Sequence, residues 1–111
     1  MPTINLYRTS ETASKIKKDT IDELRKFVAD ILTCSEIKLL PNEVSIRPIN
    51  VDNDKDMIAP VECDIAAYNF PARAAKQDLI CTEVRKFLLE NIDGISDAKV
   101  RLQLCELGHS I

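Results

Sequence analysis

The chain has 111 residues, of which 45% are hydrophobic and 30% are charged. This length fits a single domain, residues 1–111, whose core needs no metal or disulfide. The net charge is −3, and the basic residues are interspersed with acidic ones, so nucleic acid is not expected as a partner. No uncharged stretch reaches the ~18–20 residues that span a bilayer, and no signal peptide is recognisable. We therefore expect a cytoplasmic protein without membrane contact.

The first half predicts a strand, a helix and a second strand. Residues 3–8 alternate apolar and polar side chains, which is typical of a strand. Thr9 and Ser10 are candidate N-caps, and apolar residues recur at helical spacing within residues 16–32. Pro41 breaks the chain, and residues 43–51 are predicted to form the second strand.

The second half predicts the same three elements in the same order. Residues 50–60 are polar and acidic, which indicates a loop between the halves. Residues 60–70 predict a third strand, residues 72–91 a second amphipathic helix, and residues 98–107 a fourth strand.

The two halves also resemble each other in sequence. Residues 23–28 read ELRKFV and residues 83–88 read EVRKFL; residues 4–7 read INLY and residues 65–68 read IAAY. Two matches in the same order indicate a duplicated unit, with pseudo-repeats at about 2–51 and 60–107.

Tandem β-α-β units predict an α/β fold in which both helices cover one face of a four-stranded mixed sheet. The other face is then uncovered, and we expect it to be partly apolar, which predicts an oligomer. The residues expected there are Ile4, Leu6, Val44, Ile46, Val100, Leu102 and Leu104.

The cysteines do not indicate a metal site. Cys34, Cys63, Cys81 and Cys105 are widely spaced, and His109 is grouped with none of them. We expect the four thiols to be small buried hydrophobes. The chain contains two glycines and no nucleotide-binding glycine motif, so neither a metal nor an organic cofactor is expected.

These tandem units, the expected oligomer and the initial Met1-Pro2 pair together resemble the tautomerase superfamily. That group includes 4-oxalocrotonate tautomerase, 5-carboxymethyl-2-hydroxymuconate isomerase and macrophage migration inhibitory factor. The resemblance covers nearly the whole chain in pattern and few positions in identity, and it is closest to the longer tandem-unit members, including an uncharacterised bacterial branch. It implies a homotrimer with the sheets inside and the helices outside.

The resemblance also implies a chemistry centred on Pro2. Removal of Met1 exposes a prolyl amine, which acts as the general base on a 2-oxo or enol carboxylate. Arg47 resembles the second-strand arginine of 4-oxalocrotonate tautomerase and is the second predicted catalytic residue. Arg8, at the end of the first strand, and Arg73, in the turn that follows the third strand, are predicted to bind the substrate carboxylate, and Arg73 is expected to reach the pocket of a neighbouring subunit.

Two departures leave alternatives open. The lysine after the first helix of macrophage migration inhibitory factor has no clear counterpart, because residues 32–35 read LTCS. The last strand is aliphatic where that protein has aromatic or amide residues near its proline. If Met1 is retained, Pro2 has no basic nitrogen and is a strand-start residue. The alternatives are a non-catalytic oligomeric protein of the same fold, or a ferredoxin-like ligand-binding or regulatory module. The ferredoxin-like fold would insert a strand between the parallel strands of each unit.

Overall fold

The computed structural model describes residues 2–52 and 54–106. Within them, no helix is both long and apolar enough to cross a membrane. Short 3-10 turns lie at Pro41–Glu43 and Asp54–Asp56. The strands and α-helices follow in the order β1 (Thr3–Thr9), α1 (Ser10–Ala13), α2 (Lys18–Leu32), β2 (Ser45–Val51), β3 (Val61–Tyr68), α3 (Pro71–Ala74), α4 (Gln77–Asn91) and β4 (Ala98–Cys105).

Each half has one short and one long helix where the sequence predicts a single helix. Thr9 is confirmed as a helix N-cap, since its hydroxyl oxygen accepts a hydrogen bond from the Thr12 amide at 3.2 Å. The helix that it caps is the short α1. Pro71 lies in the first turn of α3, where the backbone N–H that proline lacks would have no partner within the helix. The fourth predicted strand extends to Leu107, which lies outside the described residues.

The sheet order is β2-β1-β3-β4. β1 is parallel to β2, β3 is parallel to β4, and β1 and β3 meet antiparallel in the centre. In the central pair, Ile4 lies opposite Ile65. The parallel strands of each unit are adjacent, which confirms the tandem β-α-β arrangement. The ferredoxin-like alternative is wrong, since it requires a strand between them.

The core lies between the sheet and the two long helices. Ile4, Leu6 and Ile65 of the central strands pack with Leu24 of α2 and Leu88 of α4, and all five are at most 2% exposed. Each burial of this kind contributes about 1.5–3 kcal/mol to stability.

The seven apolar residues expected on the uncovered face of the sheet were assigned to the wrong face. The residues expected there, including Ile4, Leu102 and Val44, belong to the helix-covered core or pack against it. The physical reason is that the helices bury the apolar side of an alternating strand and leave the polar side to solvent. The open face instead mixes polar and apolar residues: Thr3, Asn5, Tyr7, Ser45, Arg47, Ile49, Val51, Glu62, Asp64, Ala66, Tyr68, Lys99, Arg101, Gln103 and Cys105.

The duplication visible in the sequence is also present in the contacts. Arg25 in α2 donates from Nε to the carbonyl oxygen of Val44, just before β2, at 3.3 Å. Arg85 in α4 donates from Nε to the carbonyl oxygen of Ala98, the first residue of β4, at 3.1 Å. The repeated arginine therefore ties each long helix to the start of its own parallel strand.

Candidate functional site

Pro2 lies at the start of β1 and borders a cavity of about 320 Å³. The residue is buried, and its carbonyl oxygen accepts a hydrogen bond from the Ser45 amide at 3.0 Å, which fixes it against β2. We call this space the Pro2 cavity. It is lined by Pro2, Ile37, Leu39, Tyr68, Phe70 and Arg73.

The turn between β3 and α3 brings Arg73 to the same cavity. The Phe70 carbonyl oxygen accepts from the Arg73 amide at 2.9 Å, which closes the first turn of α3. The Arg73 side chain donates from Nε to the Leu32 carbonyl oxygen at 2.9 Å and from Nη1 to the Tyr68 carbonyl oxygen at 3.0 Å. Its guanidinium carbon lies 5.0 Å from the centroid of the Phe70 ring. These contacts hold the guanidinium in one orientation.

The guanidinium of Arg73 has unused binding capacity. The residue is 3% exposed, yet its Nη2 has no hydrogen-bond partner among the described residues, and no described carboxylate forms an ion pair with it. Burial lowers the pKa of the Arg73 side chain, while Cys34 and Glu36 act in the opposite direction. Arginine nevertheless stays protonated in proteins. A buried, unpaired cation is costly, and an anionic ligand would relieve that cost.

The remaining walls of the Pro2 cavity are aromatic and aliphatic. The rings of Tyr68 and Phe70 have centroids 4.8 Å apart and are tilted by 54°. Ile37 is held by two backbone hydrogen bonds with Cys34, and Leu39 is 4% exposed. One fixed cation in apolar walls suits a carboxylate attached to a flat, unsaturated chain.

The other two predicted arginines do not line the Pro2 cavity of their own chain. Arg47 pairs with Asn5 in the register of β1 and β2 and lies exposed on the open face of the sheet, whereas Pro2 is on the helix-covered side. Arg8 is six residues from Pro2, about 20 Å along an extended strand. Its Nε donates to the Asn50 Oδ1 at 2.9 Å. Met1 lies outside the described residues.

Four residues of the Pro2 cavity were not predicted from the sequence: Ile37, Leu39, Tyr68 and Phe70. Tyr68 could have been predicted from its position, because it is the last residue of β3 and precedes Arg73 by five residues. Ile37 and Leu39 could not, because they belong to an irregular segment between α2 and β2 whose path depends on tertiary packing.

The cysteine prediction is correct for one residue. Cys63 is fully buried in the core, and burial raises the pKa of its thiol to about 12. Cys34, Cys81 and Cys105 are half-buried, so for them the prediction is wrong. Cys34 and Cys105 lie at a loop and at a strand end, where packing is incomplete. Within residues 2–52 and 54–106, no three His, Cys, Asp or Glu side chains are grouped to hold a metal ion.

Comparisons with known proteins identify the fold. No protein-family model matches the sequence, and no curated protein is similar to it in sequence. A macrophage migration inhibitory factor-like protein from Entamoeba histolytica matches with a TM-score of 0.53 and 13% identity, over 96% of this chain and 88% of that one. The FG41 malonate semialdehyde decarboxylase, inhibited by 3-bromopropiolate, matches with a TM-score of 0.52 and 15% identity, over 95% of this chain and 82% of that one. The chain therefore has the macrophage migration inhibitory factor-like fold that the resemblance implied.

Proposed function

We propose that the chain is a small-molecule tautomerase or isomerase that acts on a 2-oxo or enol carboxylate, with Pro2 as general base and Arg73 as carboxylate ligand. One observation carries this proposal: the buried Pro2 and the buried, unpaired guanidinium of Arg73 border the same cavity. The bound inhibitor of the FG41 decarboxylase, 3-bromopropiolate, is itself a small unsaturated carboxylate.

The mechanism requires removal of Met1, which makes the Pro2 nitrogen a secondary amine. Burial and a nearby cation both disfavour the charged form of an amine, which favours the neutral base that the reaction requires. The amine takes the enol proton of the substrate and returns a proton to carbon, which gives the keto form. Arg73 holds the carboxylate, and Tyr68 and Phe70 contact the unsaturated chain.

A homotrimer is part of the same proposal. Its support is the resemblance to the tautomerase superfamily, which implies a trimer. Arg8 and Arg47 can contribute to a Pro2 cavity only when a neighbouring subunit supplies them. Light scattering of the purified protein should then give about three times the chain mass of 12.5 kDa; a mass of one chain would refute the trimer.

The experiment combines intact mass with ketonisation of a 2-hydroxy-2,4-dienoate. Loss of Met1 and a rate that falls about 10²–10⁴-fold in Pro2→Ala are expected, because general-base catalysis contributes that much. Pro48→Ala is the matched control, since Pro48 is exposed in β2 and does not line the cavity. A retained Met1, or a Pro2→Ala rate equal to the wild-type rate, would refute the proposed base. The non-catalytic oligomeric alternative would then be favoured.

A further inference from the structure

One wall of the Pro2 cavity is formed by residues 33–39, which follow α2 and which we call the 33–39 loop. Within it, Cys34 and Ile37 exchange two backbone hydrogen bonds, of 2.9 Å and 3.2 Å, which close a tight turn. Ile37 is half-buried and Leu39 is buried, and both pack against the core and line the cavity. The loop therefore presents apolar side chains to a molecule bound in the cavity.

The hydroxyl of Thr33 joins the two ends of this loop. Its Oγ1 donates to the carbonyl oxygen of Ala29, one turn earlier in α2, at 2.8 Å. The same oxygen accepts from the amide of Leu39, at the other end of the loop, at 3.1 Å. Thr33 does not itself line the Pro2 cavity, so it acts on the cavity through the position of Leu39.

The end of α2 thus holds both the cation and the apolar wall of the cavity. The carbonyl oxygen of Leu32 accepts from Nε of Arg73, and the next residue, Thr33, binds the loop. Among the described residues that line the cavity, Arg73 alone is charged. A second carboxylate on a bound acid would lie against apolar side chains, where an unpaired charge is costly.

We propose that Thr33 is a positioning residue that holds the 33–39 loop against the Pro2 cavity, and that this wall selects acids whose end remote from the carboxylate is uncharged. A flat, unsaturated monocarboxylate is bound, and the corresponding dicarboxylate is rejected. The substrate class rests on the proposed function, because it concerns the same cavity, whereas the selective binding is measurable without turnover.

Sorbate and muconate are the probes. Both are six-carbon dienoates without the 2-hydroxyl group that ketonisation requires, and they differ only at the far end, where sorbate has a methyl group and muconate a second carboxylate. Isothermal titration calorimetry should show that sorbate binds about 10–100-fold more tightly than muconate, because only muconate must bury a second charge.

Thr33→Val removes the hydroxyl and nearly keeps the volume of the side chain. We expect it to weaken sorbate binding about 3–10-fold, because the contacts with the displaced Leu39 are lost, and to leave muconate binding unchanged. Thr33→Ser, which keeps the hydroxyl, should retain the selectivity. Thr82→Val is the matched control, because the Thr82 hydroxyl donates to the Asp78 carbonyl oxygen at 2.9 Å in α4 and does not line the cavity.

Hydrogen exchange of the Leu39 amide tests the position of the loop without any ligand. This amide should exchange about 3–10-fold faster in Thr33→Val than in the wild type, Thr33→Ser or Thr82→Val, because its acceptor is gone. Equal exchange rates in the four proteins would overturn the positioning role of Thr33.

The selectivity is overturned if the wild type binds sorbate and muconate equally or shows no saturable binding of sorbate. It is also overturned if the ratio of the two affinities is the same in Thr33→Val as in the wild type. A protein that binds sorbate selectively but ketonises no 2-hydroxy-2,4-dienoate refutes the proposed enzyme and leaves the selective wall standing. An active enzyme that binds both acids equally refutes the selective wall and leaves the proposed enzyme standing.

Discussion

Arg73 caps the end of α2 from the other half of the chain, donating from Nε to the carbonyl oxygen of Leu32 at 2.9 Å. Leu32 is the last residue of α2, so its carbonyl oxygen has no partner within the helix. A residue of the second repeat thus completes a helix of the first. The same bond fixes the guanidinium beside Pro2, which links the joining of the two halves to the formation of the candidate site.

Arg73→Lys tests this double role. Lysine keeps the charge and loses the bonds to the Leu32 and Tyr68 carbonyl oxygens, so the carboxylate is held less well. We expect KM to rise about 10–100-fold with a smaller change in kcat, as for loss of a charged hydrogen bond. Arg85→Lys is the matched control, because it breaks a similar guanidinium–carbonyl bond in α4 away from the Pro2 cavity. Equal KM changes in the two variants would contradict a role in substrate binding.

The ring pair Phe27 and Phe87 tests the junction between the repeats. These residues occupy equivalent positions of the two matching segments, and their rings stack with centroids 4.9 Å apart. A double-mutant cycle with Phe27→Leu and Phe87→Leu, measured by urea unfolding, should give a coupling energy of about 0.5–1.5 kcal/mol. A coupling energy of zero would show that the stack does not stabilise the contact between α2 and α4.

Thiol reactivity should distinguish Cys63 from Cys34. The pKa of the Cys63 thiol is raised to about 12 by burial, so almost none of it is thiolate at pH 8. Mass spectrometry after brief iodoacetamide treatment of the folded protein should find Cys34 alkylated and Cys63 intact. Both should react in urea. Equal labelling of the two thiols in the folded state would contradict the burial of Cys63.

The carboxyl of Asp97 should contribute to acid sensitivity. Its Oδ1 accepts hydrogen bonds from Arg85 at 2.6 Å and from the Ala98 amide at 2.9 Å, and these contacts hold its pKa below the ordinary value of 3.8. A lowered folded-state pKa stabilises the protein at pH values above 3.8, and the contribution is lost as the pH falls further below it.

The measurement is urea unfolding of the wild type and Asp97→Asn between pH 2 and pH 7. The wild type should be the more stable at neutral pH, and the difference should shrink below about pH 3.8. If the difference in the free energy of unfolding between the two proteins is constant across this range, the charge of Asp97 does not contribute to stability.

The fold was largely predictable because local patterns and global topology agree. The period-2 strands, the helical spacing and the repeat at residues 23–28 and 83–88 together specify the tandem units. The side of the sheet on which Ile4 and Leu6 lie was assigned wrongly. Alternation distinguishes the two faces of a strand but does not show which face the helices cover. The apolar face is the covered one, because the helices bury their own apolar residues against it.

The candidate site was predictable only in part. Pro2 and Arg73 could be singled out from their sequence context, through the resemblance to the tautomerase superfamily. That both border one cavity of the same chain depends on where α2 ends, since Leu32 orients Arg73. No local pattern reports such a contact between residues 41 positions apart.

The pH dependence of kcat/KM for ketonisation, measured on protein whose intact mass lacks Met1, tests the central claim most directly. A base must be unprotonated to act, so the rate constant should rise with pH along a single limb and then level off. The limb should shift in Pro2→Ala. A flat profile, or the same limb in Pro2→Ala, would contradict Pro2 as the base.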